Sequence, residues 1–134
     1  MIFDILEQKL VNAGLVVAGE SLFRNYMPPE CSMGLMLRAP LVGIKINPFI
    51  PSWYRCEIQL ITRHSDPVDG NILALAAARV LKVESLEIYA PSAERGRAHI
   101  TLFIADTLPI QFPQLEGNGY EWSQHFCAAF GFKD

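Results

Sequence analysis

This chain is poor in the features that announce a chemistry. It has three cysteines, Cys31, Cys56 and Cys127, an odd number at wide spacing, which excludes a disulfide framework and points to buried thiols in a reducing cytoplasm. It has no excess of positive charge. Its 11 Lys and Arg against 14 Asp and Glu leave a net charge of −3, which excludes the basic face of a dedicated nucleic-acid binder. The longest apolar run, Ile72–Leu81, is broken by Arg79 and falls well short of the roughly 20 residues of a membrane helix. Met1–Leu10 carries Asp4, Glu7 and Lys9, so it lacks the basic start and unbroken apolar stretch of a secretory signal. Internal repeats, low-complexity tracts and Ser/Gly linkers are absent. Charged residues make up only 19% and hydrophobic ones 51%, which rules out a disordered chain. At 134 residues one domain over 1–134 with a real core is expected.

Reaction motifs are missing too. Neither G-x-x-x-x-G-K-S/T nor G-x-G-x-x-G occurs, so no phosphate cradle is expected. His125 and Cys127 lie two apart on a predicted strand and share a face, yet no C-x-x-C or H-x-x-x-H spacing joins them to Cys56 or His64, so no metal is expected. His64, Ser65 and Asp66 are adjacent in sequence, but triad members meet in space, and helix capping accounts for Ser65 and Asp66. No catalytic residue and no cofactor is assigned, and the chain reads as a non-enzyme.

What remains is an alternation of patterned segments. Residues 2–13 predict a helix, with Phe3, Leu6, Leu10 and Ala13 on one face beside Ile2 and Ile5, and Gly14 as its cap. Residues 20–30 read as a connector because Pro28-Pro29 continues neither helix nor central strand. Residues 32–38 and 53–64 read as strands. In the second, Tyr54, Cys56, Ile58, Leu60 and Thr62 point one way, and Trp53, Arg55, Glu57, Gln59, Ile61 and Arg63 the other. Ser65-Asp66-Pro67 starts a helix that runs to about Lys82, with Val68, Ile72, Leu75, Ala76 and Val80 as its core stripe. Leu86–Ala90 and Ala98–Asp106 predict a hairpin. Leu108–Gly117 is a Pro-rich bridge, Asn118-Gly119 a turn, and Tyr120–Phe130 the last strand. The fold class expected is α+β: a mainly antiparallel sheet of four to five strands, two helices on one face, and one parallel pair placed by the strand–helix–strand passage.

Two segments stand out as contact candidates. Residues 39–52 hold one charge, Lys45, and three prolines. That is long and apolar for a hairpin loop. It either packs on its own domain or protrudes as an extended arm that a neighbouring subunit covers. On the second reading Leu41, Val42, Ile44, Lys45, Ile46 and Phe49 form the subunit interface. Glu94, Arg95 and Arg97 form a charged tip, either solvated or set against a partner or a channel.

The order of elements, together with three stretches, resembles the tail terminator, or tail-completion, proteins of long-tailed bacteriophages. The stretches are Ile2–Ala13 followed by Tyr26-Met27-Pro28-Pro29-Glu30; Ile58–Arg63 leading through Asp66 into the Ala-rich helix; and Gly117-Asn118-Gly119-Tyr120 followed by Ser123-Gln124-His125-Phe126. The resemblance implies a structural virion protein. Family members form a six-membered ring at the head-proximal end of the tail tube, end tube growth, and dock the head-completion or neck protein (stopper or adaptor). Viral DNA passes through the ring without specific binding. No membrane is involved, and assembly takes place in the host cytoplasm. Two alternatives stay open: another neck or minor tail protein of the same fold, and a small α/β enzyme or ligand-binding domain, which would need a concave pocket with converging polar groups.

Overall fold

The computed structural model describes residues 1–40, 42–112 and 119–133. Leu41 of the expected arm, Pro113 of the bridge, and Gly117 and Asn118 of the expected turn lie outside the described residues.

Helix α1 (Phe3–Asn12) buries Phe3, Ile5, Leu6 and Leu10, close to the predicted face. It stops where glycine lets it stop. Gly14 sits at φ +75°, its N–H donates to the Val11 carbonyl, and the Leu15 N–H reaches back to Leu10. These paired bonds satisfy the last helical carbonyls. The connector then holds a short strand that periodicity does not predict, β1 (Leu22–Arg24), ended by Asn25 at φ 64°. Strands β2 (Gly34–Arg38) and β3 (Trp53–His64) follow. Helix α2 (Pro67–Leu81) begins as its capping residues dictate: the Asp66 carboxylate accepts from the Val68 and Asp69 N–H groups at 2.8 and 3.0 Å. β4 (Glu87–Tyr89) and β5 (Arg97–Ala105) make the expected hairpin. β6 (Ile110–Gln111) lies within the Pro-rich bridge, and β7 (Tyr120–Lys133) closes the chain.

The sheet order is β1-β2-β3-β7-β5-β4, with β6 also paired to β7. The described residues thus form a mixed sheet of seven strands, and this corrects the expected mainly antiparallel sheet of four to five. The parallel pair is β1 with β2. It is not made by the passage through α2, because β4 sits at the opposite edge from β2 and does not neighbour β3. The long partner of β3 is β7, antiparallel over twelve register pairs from Trp53↔Gly131 to His64↔Tyr120.

Both helices cover one face of this sheet. Ile58 and Leu60 of β3, Phe126, Ala128 and Phe130 of β7, and Ile100 and Phe103 of β5 share a core with Leu6 and Leu10 of α1 and with Ala77 and Leu81 of α2. A bulge in β5 between Ile100 and Leu102 shifts the alternation by one residue, which lets both Ile100 and Phe103 face inward. The opposite face carries a small second cluster, Met27, Met36 and Ile61, where the connector lies across the sheet. Arg63 fastens that connector. Its guanidinium donates to Glu121 at 2.9 Å, to the Pro28 carbonyl at 2.8 Å and to the Cys31 carbonyl at 3.1 Å.

The predicted core stripe of α2 is corrected. Gly70, Ala74, Ala77 and Leu81 are buried, whereas Val68 is 67% and Ile72 57% exposed. Helix and sheet are too close at Trp122 for a large side chain. A Cβ added at Gly70 would come within 2.2 Å of the Trp122 ring, so the small residues face the sheet and the larger ones are turned outward.

That contact fixes the sign of a substitution. In an open helix, alanine is favoured over glycine by about 1 kcal/mol. Here overpacking outweighs that gain, so Gly70→Ala is expected to lower unfolding stability by about 1–3 kcal/mol. Val68→Ala, on the outer side, should change it by less than about 0.5 kcal/mol. Urea midpoints of the two variants check both values, and a stabilised Gly70→Ala would refute the packing argument.

Candidate assembly site

The link between β2 and β3 is an exposed arm. Prolines at 40, 48 and 51 fix its φ angles, and turns replace strand pairing. The Asn47 side chain accepts from the Phe49 N–H at 2.9 Å, and the Asn47 carbonyl accepts from Ile50 at 3.1 Å. Both ends are tied to the sheet. The Ala39 N–H donates to Asn25 Oδ1 at 2.9 Å, and the Ser52 carbonyl accepts from Phe132 of β7 at 3.0 Å. Gly131 makes the second tie feasible, since a Cβ there would lie 2.8 Å from the Ser52 carbonyl.

The arm is apolar and open. Val42 is 96% exposed, Phe49 92%, Ile46 74% and Ile50 51%; Lys45 is exposed, and Ile44 is half-buried against the main core. The alternation of Val42, Ile44 and Ile46 forms no strand. Of the six interface candidates, Val42, Ile44, Lys45, Ile46 and Phe49 are thus on the arm, and Leu41 is outside the described residues. Two grooves run beside it. One, about 690 Å³, is lined by Ile46, Phe49, Ile50, Trp53, Thr101 and Ala129. The other, about 410 Å³, is lined by Val42, Arg55, Cys56, Glu57, Gln59 and His125. Lys45 and Arg55 border both.

The second groove holds a thiol and an imidazole, but not an activated pair. Burial, with Cys127 and Glu57 nearby, pushes the Cys56 thiol up to about 11, away from the thiolate a nucleophile needs. His125 Nδ1 stands 3.8 Å from Glu57, on the solvent side. The three cysteines are half-buried and free. Among the described residues no group of His, Cys, Asp and Glu is placed to hold a metal ion, and no helix is long and apolar enough to cross a membrane.

The charged tip of the β4–β5 hairpin is largely spent inside the molecule. Arg95, 5% exposed, grips both carboxylate oxygens of Asp4 on α1 at 3.1 and 3.0 Å and donates to the Ala90 and Gly96 carbonyls. Glu94 accepts from Arg24 of β1 at 2.9 Å, and the same guanidinium pairs with Glu7. Arg97 is exposed. Sequence reasoning missed Arg95 as a pin because its partner is 91 positions away. Lys9 and Glu87 add a bridge of 2.8 Å. Burial would raise the Asp4 carboxyl, but hydrogen bonds and charge from Arg95, with help from Ser92 and the Ile5 amide, hold it below its ordinary value. Glu87 is lowered likewise, burial being outweighed by Lys9 and Tyr89.

A family model described as "Bacteriophage tail terminator protein" matches residues 9–130. No curated protein matches the chain. A chain from a solved structure described as "Virion of native gene transfer agent (GTA) particle" superposes with a TM-score of 0.62 at 14% identity, covering 94% of this chain and 91% of that one. At that identity the likeness is one of fold.

The Asp4–Arg95 pin has a pH signature. A carboxyl whose folded pKa is depressed contributes stability above its unfolded value, and that stability is lost as pH falls through the folded value. Asp4→Asn should therefore lower stability at pH 7 by about 1 kcal/mol. The difference from the unsubstituted protein should close as pH drops from about 4 toward 2. Urea denaturation across that range measures it, and a gap that stays constant would exclude the ionised carboxylate as its source.

Proposed function

The chain belongs to the bacteriophage tail terminator family, and on that premise we propose that copies of it close into a six-membered ring at the head-proximal end of the tail tube. It is a structural protein of the virion tail and not an enzyme. The ring ends tube growth and offers its other face to the head-completion or neck protein.

The observation that carries this reading is the arm. Apolar residues as open as Val42 and Phe49, on a segment tied down at both ends, lose little entropy on docking and remove apolar area from water when covered. Val42, Ile44, Ile46 and Phe49, with Leu41, supply the buried contact, large side chains contributing most; Lys45 sits at its rim. Contacts between unlike surfaces close into a ring when the rotation between neighbours divides the circle. Growth stops when one ring face matches the tube and the other does not repeat the tube's surface. The sheet edges fit a subunit that does not polymerise edge to edge, since β1 and β4 each have three residues. Arg97, exposed at the start of β5, is the member of the charged tip left for a partner. A net charge of −3 suits a lumen through which DNA slides without being held. The likeness of fold to a chain from the virion of a gene transfer agent particle supports the same setting.

The test is assembly itself. Light scattering and negative-stain microscopy of the purified protein, alone and mixed with tail tubes, should show six-fold particles that cap tube ends. The Val42→Asp/Phe49→Asp variant should keep its fold, with stability within about 0.5 kcal/mol, but should neither assemble nor cap. A native protein that stays monomeric with tubes present would end this reading.

A further inference from the structure

From the charge and exposure at the two ends of β3, we infer that the arm of one copy docks on the outward face of α2 in the next. This deepens the ring reading and rests on it.

The arm leaves the sheet at the Trp53 end of β3, and α2 starts just beyond the His64 end. Twelve strand residues separate the root of the arm from the start of α2 by about 36 Å, which sets Val68 and Asp69, in the first turn of α2, far from the root of the same molecule's arm. The unsatisfied charge divides the same way. At the arm end lie Lys45, Arg55, Arg97 and Lys133, all exposed. None of the four has an ion-pair partner among the described residues; of the acids at this end Glu94 is held by Arg24, and Glu57, which shares a groove with Lys45 and Arg55, stands 3.8 Å from His125. At the α2 end lie Glu30, Asp66 and Asp69, also exposed and also without ion-pair partners among the described residues, while the cation there, Arg63, is held by Glu121.

Apolar surface repeats the division. Facing outward on α2 are Val68 and Ile72, 67% and 57% exposed, with Leu75 half-buried one turn on. Spacings of four and three put them on one stripe; Asp69 borders its start, and the exposed Arg79 follows four residues beyond Leu75, at the far end of the helix. The arm's Ile46 and Phe49, bordered by Lys45, have the same make-up with the opposite charge. Each copy thus carries both halves of an apolar contact with complementary charge at opposite ends. Such halves are satisfied only between copies, head to tail, which is the contact type that generates rings.

Charge exchange tests the assignment. Lys45→Glu and Asp69→Lys alter exposed side chains, and circular dichroism confirms that each variant folds. Each alone should weaken ring formation about tenfold or more, read by mass photometry across a concentration series. The double variant Lys45→Glu/Asp69→Lys should recover most of the loss. An equimolar mixture of the two single variants should recover it as well, because copies alternating around a ring meet with opposite charges at every contact. If the native protein forms rings that neither reversal weakens, or if neither the double variant nor the mixture recovers, the arm–α2 contact is overturned and the ring reading stands. If reversal at Lys45 abolishes tube capping while rings persist, the arm's occupant is the tube and the assignment is likewise overturned. If the native protein forms no ring, the ring reading itself fails.

Discussion

Every other part of this molecule is positioned by the pairing of β3 with β7. Twelve consecutive register pairs join two segments far apart in the chain, so the pairing forms only after a long loop has closed. Once formed, it sets one apolar face, with Ile58 opposite Phe126 and Leu60 opposite Gln124. It supplies the edges on which β2 and β5 build. It also sets the length of the subunit, and hence the separation between the arm and the start of α2.

Arginine completes what the pairing begins. Arg63 binds a carboxylate and two carbonyls, Arg95 a carboxylate and two carbonyls, and Arg24 two carboxylates. A planar fork with fixed donor directions suits such sites, where a lysine would act as a point charge. Each one ties an irregular segment to a regular one: the connector to the sheet, and the hairpin tip to α1. The Glu7–Arg24 pair also stacks against Phe3, the guanidinium standing 5.3 Å from the ring centroid, so the polar network continues into the apolar core. Of the cations left out of these networks, Lys45 and Arg55 border the grooves beside the arm.

Much of this was legible in the residues, and what was not has physical causes. β3, β5 and β7 alternate over enough residues to declare themselves, and Asp66-Pro67 marks the start of α2 by its chemistry. β1 and β6, with three and two residues, are too short to show a period; they exist because β2 and β7 offer them hydrogen bonds. The phase of α2 misleads because size usually marks the buried side, whereas here Trp122 leaves room only for glycine at position 70, and Ala74 and Ala77 are buried with it. The apolar character of the arm was plain from its composition, but its alternation of Val42, Ile44 and Ile46 described side chains without a partner strand. Arg95 read as a surface charge because nothing local reveals Asp4.

The two ties of the arm carry a mechanical consequence. The arm joins β3 at Trp53, and the Ser52 carbonyl beside that junction is bonded across to Phe132 of β7. A pull on the arm directed along the strands would therefore reach the sheet as shear. Hydrogen bonds sheared together resist jointly, whereas bonds pulled apart at one end open in succession like a zip. Pulled in that direction, the sheet would hold without unravelling from the point of attachment.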